Sequence, residues 1–216
     1  MKTNTKKICV LAMLSALAFI VMVFGRIPLV LFLKYDPKDV IITIGGFLYG
    51  PLSALMITVI VSVAEMLTVS SNGPIGLLMN IIAGCSFACT ASFIYKRKRT
   101  LKGAVTGLVA AWLMTTAVMV LWNYLITPIY MNVPREEVAG LLLPAFVPFN
   151  LLKGGLNAAF TMLLYKPVKA ALQASRMMPL PEELDKAGKK NLGVIIASFF
   201  VIVTCVLWVL VLQGRL

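Results

Sequence analysis

Hydrophobic and polar positions along the chain fall into long apolar blocks separated by short polar segments. The apolar runs cover residues 8–24, 40–49, 52–68, 75–95, 104–124, 146–165 and 192–212. A helix crosses a bilayer with roughly 20 apolar residues, and about 17 to 25 are tolerated. The second run is short, so residues 40–67 read either as one long helix or as two helices broken at Gly50-Pro51.

Charge along the chain decides between these two readings. With Lys2, Lys6 and Lys7 on the cytoplasmic side, a hairpin at Gly50-Pro51 returns the cluster KRKR at 96–99 and Lys102 to that same side. A single long helix would place that cluster outside, against the positive-inside tendency of membrane proteins. With the hairpin, cytoplasmic segments hold fourteen of the twenty Lys and Arg: three at the N-terminus, five in 96–102 and six between Lys166 and Lys190. Arg26, Lys34, Lys38, Arg135 and Arg215 fall outside, and Lys153 lies within a span.

Composition agrees with the pattern. The 216 residues are 60% hydrophobic and 13% charged, more apolar surface than a soluble domain of this length can hide. The fold class expected is all-α: a polytopic membrane bundle with a six-helix core and one additional C-terminal transmembrane helix. Residues 1–170 form the membrane domain, 171–191 a cytoplasmic linker and 192–216 the extra helix. The N-terminal run reads as an uncleaved first helix, because apolar residues continue past its A-L-A triplet to Phe24. The net charge of +12 sits between apolar runs, so no nucleic-acid partner is expected. Cys85 and Cys89 are one helical turn apart, but with no histidine in the chain no metal site is expected.

The absence of histidine also removes Ser–His hydrolases, His-nucleophile phosphatases and His-bearing zinc proteases from consideration. No G-x-x-x-x-G-K-[ST] loop is present, so the chain does not hydrolyse ATP itself. No catalytic residue is expected, and binding or transport remains. The run 146–165 then becomes informative, because Asn150, Lys153 and Asn157 lie within about 60° of one another on a helix. Lys153 sits roughly 10 Å below the outer end, where a charge costs on the order of 2.5–3.5 kcal/mol.

Two readings of that stripe stay open. It either joins helices, with Lys153 paired to Glu65, or forms one wall of a pocket for a polar, largely uncharged ligand. Asn123 adds an amide at similar depth. Asn80 is a weaker candidate that could instead cap a backbone group. Trp122, Tyr124, Tyr130 and Phe149 supply flat apolar surface, although each taken singly reads as an interfacial belt residue. The segment RIPLVLFLKYDPKDV is too apolar for a solvent loop. Its IPLVLFL part can fold back as a lid, with Asp36 and Asp39 balancing Lys34 and Lys38. Ala12 and Ala16 form a small-xxx-small pair, whose spacing alone points to internal packing.

Taken together, LKYDPKDV, the short second span ending in YGP, GPIGLLMN, WNYLITPIYM and PFNLLKGGLNA resemble the riboflavin-specific S component of energy-coupling factor (ECF) transporters. The similarity spans about residues 5–170. It implies a six-helix cell-membrane subunit that captures riboflavin, a transported ligand and no cofactor, near its outer face. Asn123, Asn150 and Lys153 match the family's polar pocket residues. Asn157, added from helical geometry, Asn80, and Tyr35 in the first outer loop complete the candidate substrate-binding set. Ala12 and Ala16 would meet the membrane coupling (T) subunit, which works with two ATPase subunits. The seventh helix departs from the six-span pattern and would place the C-terminus outside. A capture subunit for another vitamin or nucleobase-like compound, or a ligand-free membrane scaffold, are the alternatives.

Overall fold

A computed structural model describes residues 2–30, 33–70, 73–177 and 192–212. The tip of the expected lid (31–32), most of the expected linker (178–191) and the last residues (213–216) lie outside them. Helix α1 (Lys2–Phe24) leads into a short antiparallel ribbon of β1 (Ile27–Val30) and β2 (Leu33–Tyr35), in which Ile27 pairs with Tyr35. Then come α2 (Lys38–Tyr49), α3 (Pro51–Thr68), and α4 (Gly73–Gly84), which continues through a π-helical turn (Cys85–Cys89) into α5 (Thr90–Arg97). Helix α6 (Leu101–Met131) is followed by α7 (Arg135–Leu141), a second π turn (Leu142–Phe146) and α8 (Val147–Ala174). Helix α9 (Leu192–Leu212) completes the all-α bundle.

Six of these helical stretches are long and apolar enough to cross a membrane, and the 12-residue α2 supplies the short one. The break at Gly50-Pro51 is real. Gly50 has φ +96, a conformation closed to most side chains, and Pro51 opens α3. The two helices then fold against each other, because side chains at Gly45 and Gly46 would run into Ile57 and Ala54 of α3. The chain therefore forms a hairpin, as the distribution of basic residues requires.

Three clusters fill the interior. One joins α1, α2 and α3 through Leu14, Ile42, Ile57 and Val61. A second packs Phe47, Phe87, Leu108 and Ala111 between α2, the first π turn and α6. The third sets Leu29, Val30 and Tyr35 of the ribbon against Leu152 and Leu156 of α8 and Cys205 of α9. The outside is apolar as well, with Ile8, Leu52, Leu113, Phe199 and Phe200 all exposed. That arrangement suits lipid on every side.

Basic residues gather at one end. Lys6 donates to the Arg176 carbonyl at 3.3 Å, Lys7 lies over the Tyr49 ring, and Lys96 lies beside Gly50. The ribbon marks the opposite end. One expectation is overturned here: Ala12 and Ala16 are not packed inside the bundle but exposed on its surface. Leu11, Leu14, Ser15 and Ala18 take the inward face of α1 instead, leaving the alanine pair on the other side of the helix.

Candidate substrate-binding site

The ribbon end is built on charges that the chain carries inward. Tyr35, Asp36, Pro37, Lys38 and Asp39 turn from β2 into α2, and all but Pro37 are buried. Asp36 accepts from Arg26 at 2.7 Å. The same guanidinium reaches Glu65 of α3 at 2.7 Å, and Lys38 forms a second ion pair with Glu65. Asn80 of α4 donates to Glu65 at 3.0 Å. Deeper, Asp39 accepts from Lys153 at 3.0 Å and from Asn157 at 3.4 Å, while the Tyr35 hydroxyl donates to the Asn157 oxygen at 3.0 Å.

Arg26, Lys38 and Lys153 thus meet Asp36, Asp39 and Glu65, three cations against three carboxylates. Buried charges persist only when paired and hydrogen-bonded. Desolvation works against the Arg26 guanidinium, yet its bonds to Asp36 and Glu65 hold its pKa above the ordinary value. Burial, reinforced by the charges of Asp39 and Asp36, pushes the Tyr35 phenol up, so it stays a neutral donor.

Beside this layer lies a cavity of about 420 Å³, open at the ribbon end. Arg26, Lys34 and Asp36 edge it from the ribbon, Met79, Asn80 and Ala83 line it from α4, and Thr115, Met119, Asn123 and Tyr130 from α6. Phe146, Phe149, Asn150 and Lys153 close it from the fourth side. The packing of Gly154 against the Trp112 indole sets the register of α8 on α6, where even one added carbon would collide. Thr115 of α6 and Asn150 of α8, one from each helix of that contact, both line the cavity. The lining therefore combines amides and charged groups (Asn80, Asn123, Asn150, Lys153) with thioether and aromatic surface (Met79, Met119, Phe146, Phe149). Asn150 and Asn123 each give one N–H to the carbonyl one turn back, at 2.8 Å, which fixes their side chains on the cavity wall.

Of the residues singled out from sequence, Asn80, Asn123, Asn150 and Lys153 line one cavity, joined by Tyr130 and Phe149. Tyr35 and Asn157 are not on its wall; they bond to each other behind Lys153 and hold Asp39. Trp122 and Tyr124 are also off the wall, and Tyr124 stacks under Arg135 at 5.5 Å. Three expected pairings are corrected. Lys153 pairs with Asp39, not Glu65; Asp36 pairs with Arg26, not Lys34; and Lys38 pairs with Glu65, leaving Lys34 exposed at the mouth. Asn80 bonds a carboxylate and, among the described residues, caps no backbone group. Arg26, Asp36, Lys38 and Asp39 were missed as site residues. The available signal was their density in a stretch otherwise as apolar as a span.

Fold and site together define a polytopic helical membrane protein with a ligand-sized hollow, its buried charges paired, near one end of its bundle. A family model described as ECF transporter, substrate-specific component matches residues 6–165. The chain is 32% identical over 172 residues to the riboflavin transporter RibU of Staphylococcus aureus (strain TCH60), covering 76% of this chain and 90% of that one. It is 30% identical over 186 residues to the riboflavin transporter FmnP of Bacillus subtilis (strain 168), covering 80% and 97%. A solved structure, described as the S component of a bacterial ECF transporter, superposes with a TM-score of 0.67 at 31% identity, covering 79% of this chain and 99% of that one. This chain belongs to the family of substrate-specific components of ECF transporters. These relatives are named as transporters, a role in binding and passage rather than in chemical conversion.

Proposed function

We propose that this chain is the riboflavin-capturing subunit of an ECF transporter. The observation that carries it is the cavity itself: about 420 Å³, within the range of roughly 300–1,000 Å³ for small-molecule sites. Asn150 and Lys153 on its lining suit the hydrogen-bonding pyrimidine edge of riboflavin. The Met119, Phe146 and Phe149 surface suits the three-ring plate, and the further polar groups of the lining suit the hydroxylated tail. Because the buried charges cancel in pairs, with Lys34 an exposed cation at the mouth, the inner part of the site favours an uncharged guest. The relatives named as riboflavin transporters support the same ligand.

The remainder of the role follows from that one. Positive-inside orientation puts the basic end in the cytoplasm with the N-terminus, the ribbon end outside, and the end of α9 on the outer side. Residues 1–170 are the capture domain, with the ribbon as its lid. ATP hydrolysis belongs to two ATPase subunits, coupled through a membrane T subunit that docks on the exposed Ala12–Ala16 face. The chain holds no resident cofactor and turns over no substrate.

Expression in a riboflavin-replete host tests the ligand. Protein purified in detergent is expected to be yellow and to quench flavin fluorescence. Lys153→Met and Asn150→Ala are each expected to weaken binding by about tenfold or more, the usual consequence of leaving a polar ligand group unpaired. Colourless protein that ignores flavin but gains thermal stability from another vitamin or nucleobase would replace the ligand and keep the class.

A further inference from the structure

Helix α9 lies outside the six-span pattern, and most of its surface faces outward. Its few buried positions are specific. Cys205 is 9% exposed and meets α8 at Gly155, where an added Cβ would sit 3.4 Å from its Sγ. Val201 touches the same glycine and packs with Cys205 into the cluster that contains Leu29, Val30 and Tyr35 of the ribbon. Helix α9 therefore closes the back of the segment whose front edges the cavity.

From Tyr35 a chain of polar contacts runs inward. Its hydroxyl donates to Asn157 at 3.0 Å, Asn157 donates to Asp39 at 3.4 Å, and Asp39 holds Lys153 at 3.0 Å. Tyr35 is 3% exposed, so the ring's position is set by what packs around it. A lipid chain in place of α9 would fill that space without fixing it, because lipid has no rigid surface complementary to Gly155 and the ribbon.

We propose that α9 is a built-in brace for the ligand pocket: it seats the ribbon on α8 and, through Tyr35 and Asn157, positions Asp39 as the counter-ion of Lys153. The inference rests on the riboflavin reading of the site and adds to it a determinant on the far side of the binding wall. Cys205, Val201 and Tyr35 are positioning residues, since none of them lines the cavity.

The test uses the full chain in detergent, with riboflavin affinity by fluorescence quenching and ligand-free melting temperature as separate readouts. Cys205→Leu overfills the seam at Gly155, and Tyr35→Phe removes the relay hydroxyl while keeping the ring. Each is expected to weaken riboflavin binding about tenfold, and the double variant by no more than the worse single one, as for members of one coupled network. Cys205→Ala is expected to restore most of the affinity lost in Cys205→Leu. Unchanged affinity in Cys205→Leu with a normal melting temperature, or simple additivity with Tyr35→Phe, overturns the brace and leaves the riboflavin reading intact. Wild-type protein that binds no riboflavin overturns that reading instead.

A second variant covers the case in which Cys205→Leu does not fold. Gly155→Cys faces the native Cys205 thiol across the seam. Its oxidised, bridged form is expected to bind riboflavin as well as its reduced form, because the bridge holds α9 where the brace needs it. Loss of binding on oxidation overturns the proposal.

Discussion

Asp39 is the residue on which the deepest part of the site converges, taking Lys153 and Asn157 on a single carboxylate oxygen. Removing one partner of a buried pair leaves the other charge desolvated, at a cost of roughly 3–5 kcal/mol. Asp39→Asn is therefore expected to destabilise the protein by that amount. Adding Lys153→Met to it is expected to recover most of the loss, since no lone charge then remains. Thermal unfolding of the two variants, without ligand, checks both statements, and riboflavin binding should stay impaired in the double variant despite its recovered stability. The amides and Lys153 were legible in the sequence because each is conspicuous in an apolar run. Asp39, Asp36, Lys38 and Arg26 were not. Next to one another in what reads as a loop, they invite pairing with near neighbours, whereas the Lys153–Asp39 pair joins segments more than a hundred residues apart. Which distant helix supplies a partner depends on packing order, and local pattern does not contain it.

At the scale of elements, a close helix contact beside the site is made by a glycine. Gly154 lies so near the Trp112 indole that a side chain has no room, whereas Gly193 at the start of α9 has nothing nearby among the described residues. Gly154→Val is expected to cost about 1–3 kcal/mol as overpacking pushes α8 from α6. The matched Gly193→Val change is expected to stay within about 0.5 kcal/mol. Chemical or thermal denaturation of the pair separates a packing role from a general dislike of valine in these helices. Apolar runs located every span, because the bilayer demands a minimum length, but they placed the ends less well. Helix α6 runs past Pro128 to Met131, although the proline lacks the N–H that would bond the Tyr124 carbonyl. This extension brings Tyr130 and Met131 to the cavity mouth. The π turns at Cys85–Cys89 and Leu142–Phe146 had no signature either. Each widens a helix by one residue per turn, and in the second the wide turn contains Pro144, which has no N–H to place.

For the whole molecule, the arrangement separates the cavity from the face proposed to dock the coupling subunit. The cavity opens at the ribbon end, between α4, α6 and α8, whereas Ala12 and Ala16 lie exposed on α1, which packs on α2 and α3. Helix α9 adds itself to α8 and β1, so the seventh span leaves the alanine face uncovered. Small residues at such a face let a partner helix approach closely, and a larger side chain holds it off. Replacing both alanines by leucine is therefore expected to abolish riboflavin uptake in cells that supply the coupling and ATPase subunits. The same protein, purified, is expected to keep wild-type flavin affinity and melting temperature, since neither alanine touches the cavity or the core. If uptake persists in the double-leucine variant, the partner docks elsewhere on the bundle. If uptake and purified-protein binding fall together, the two surfaces are not independent, and the separation of capture from coupling across this fold is wrong.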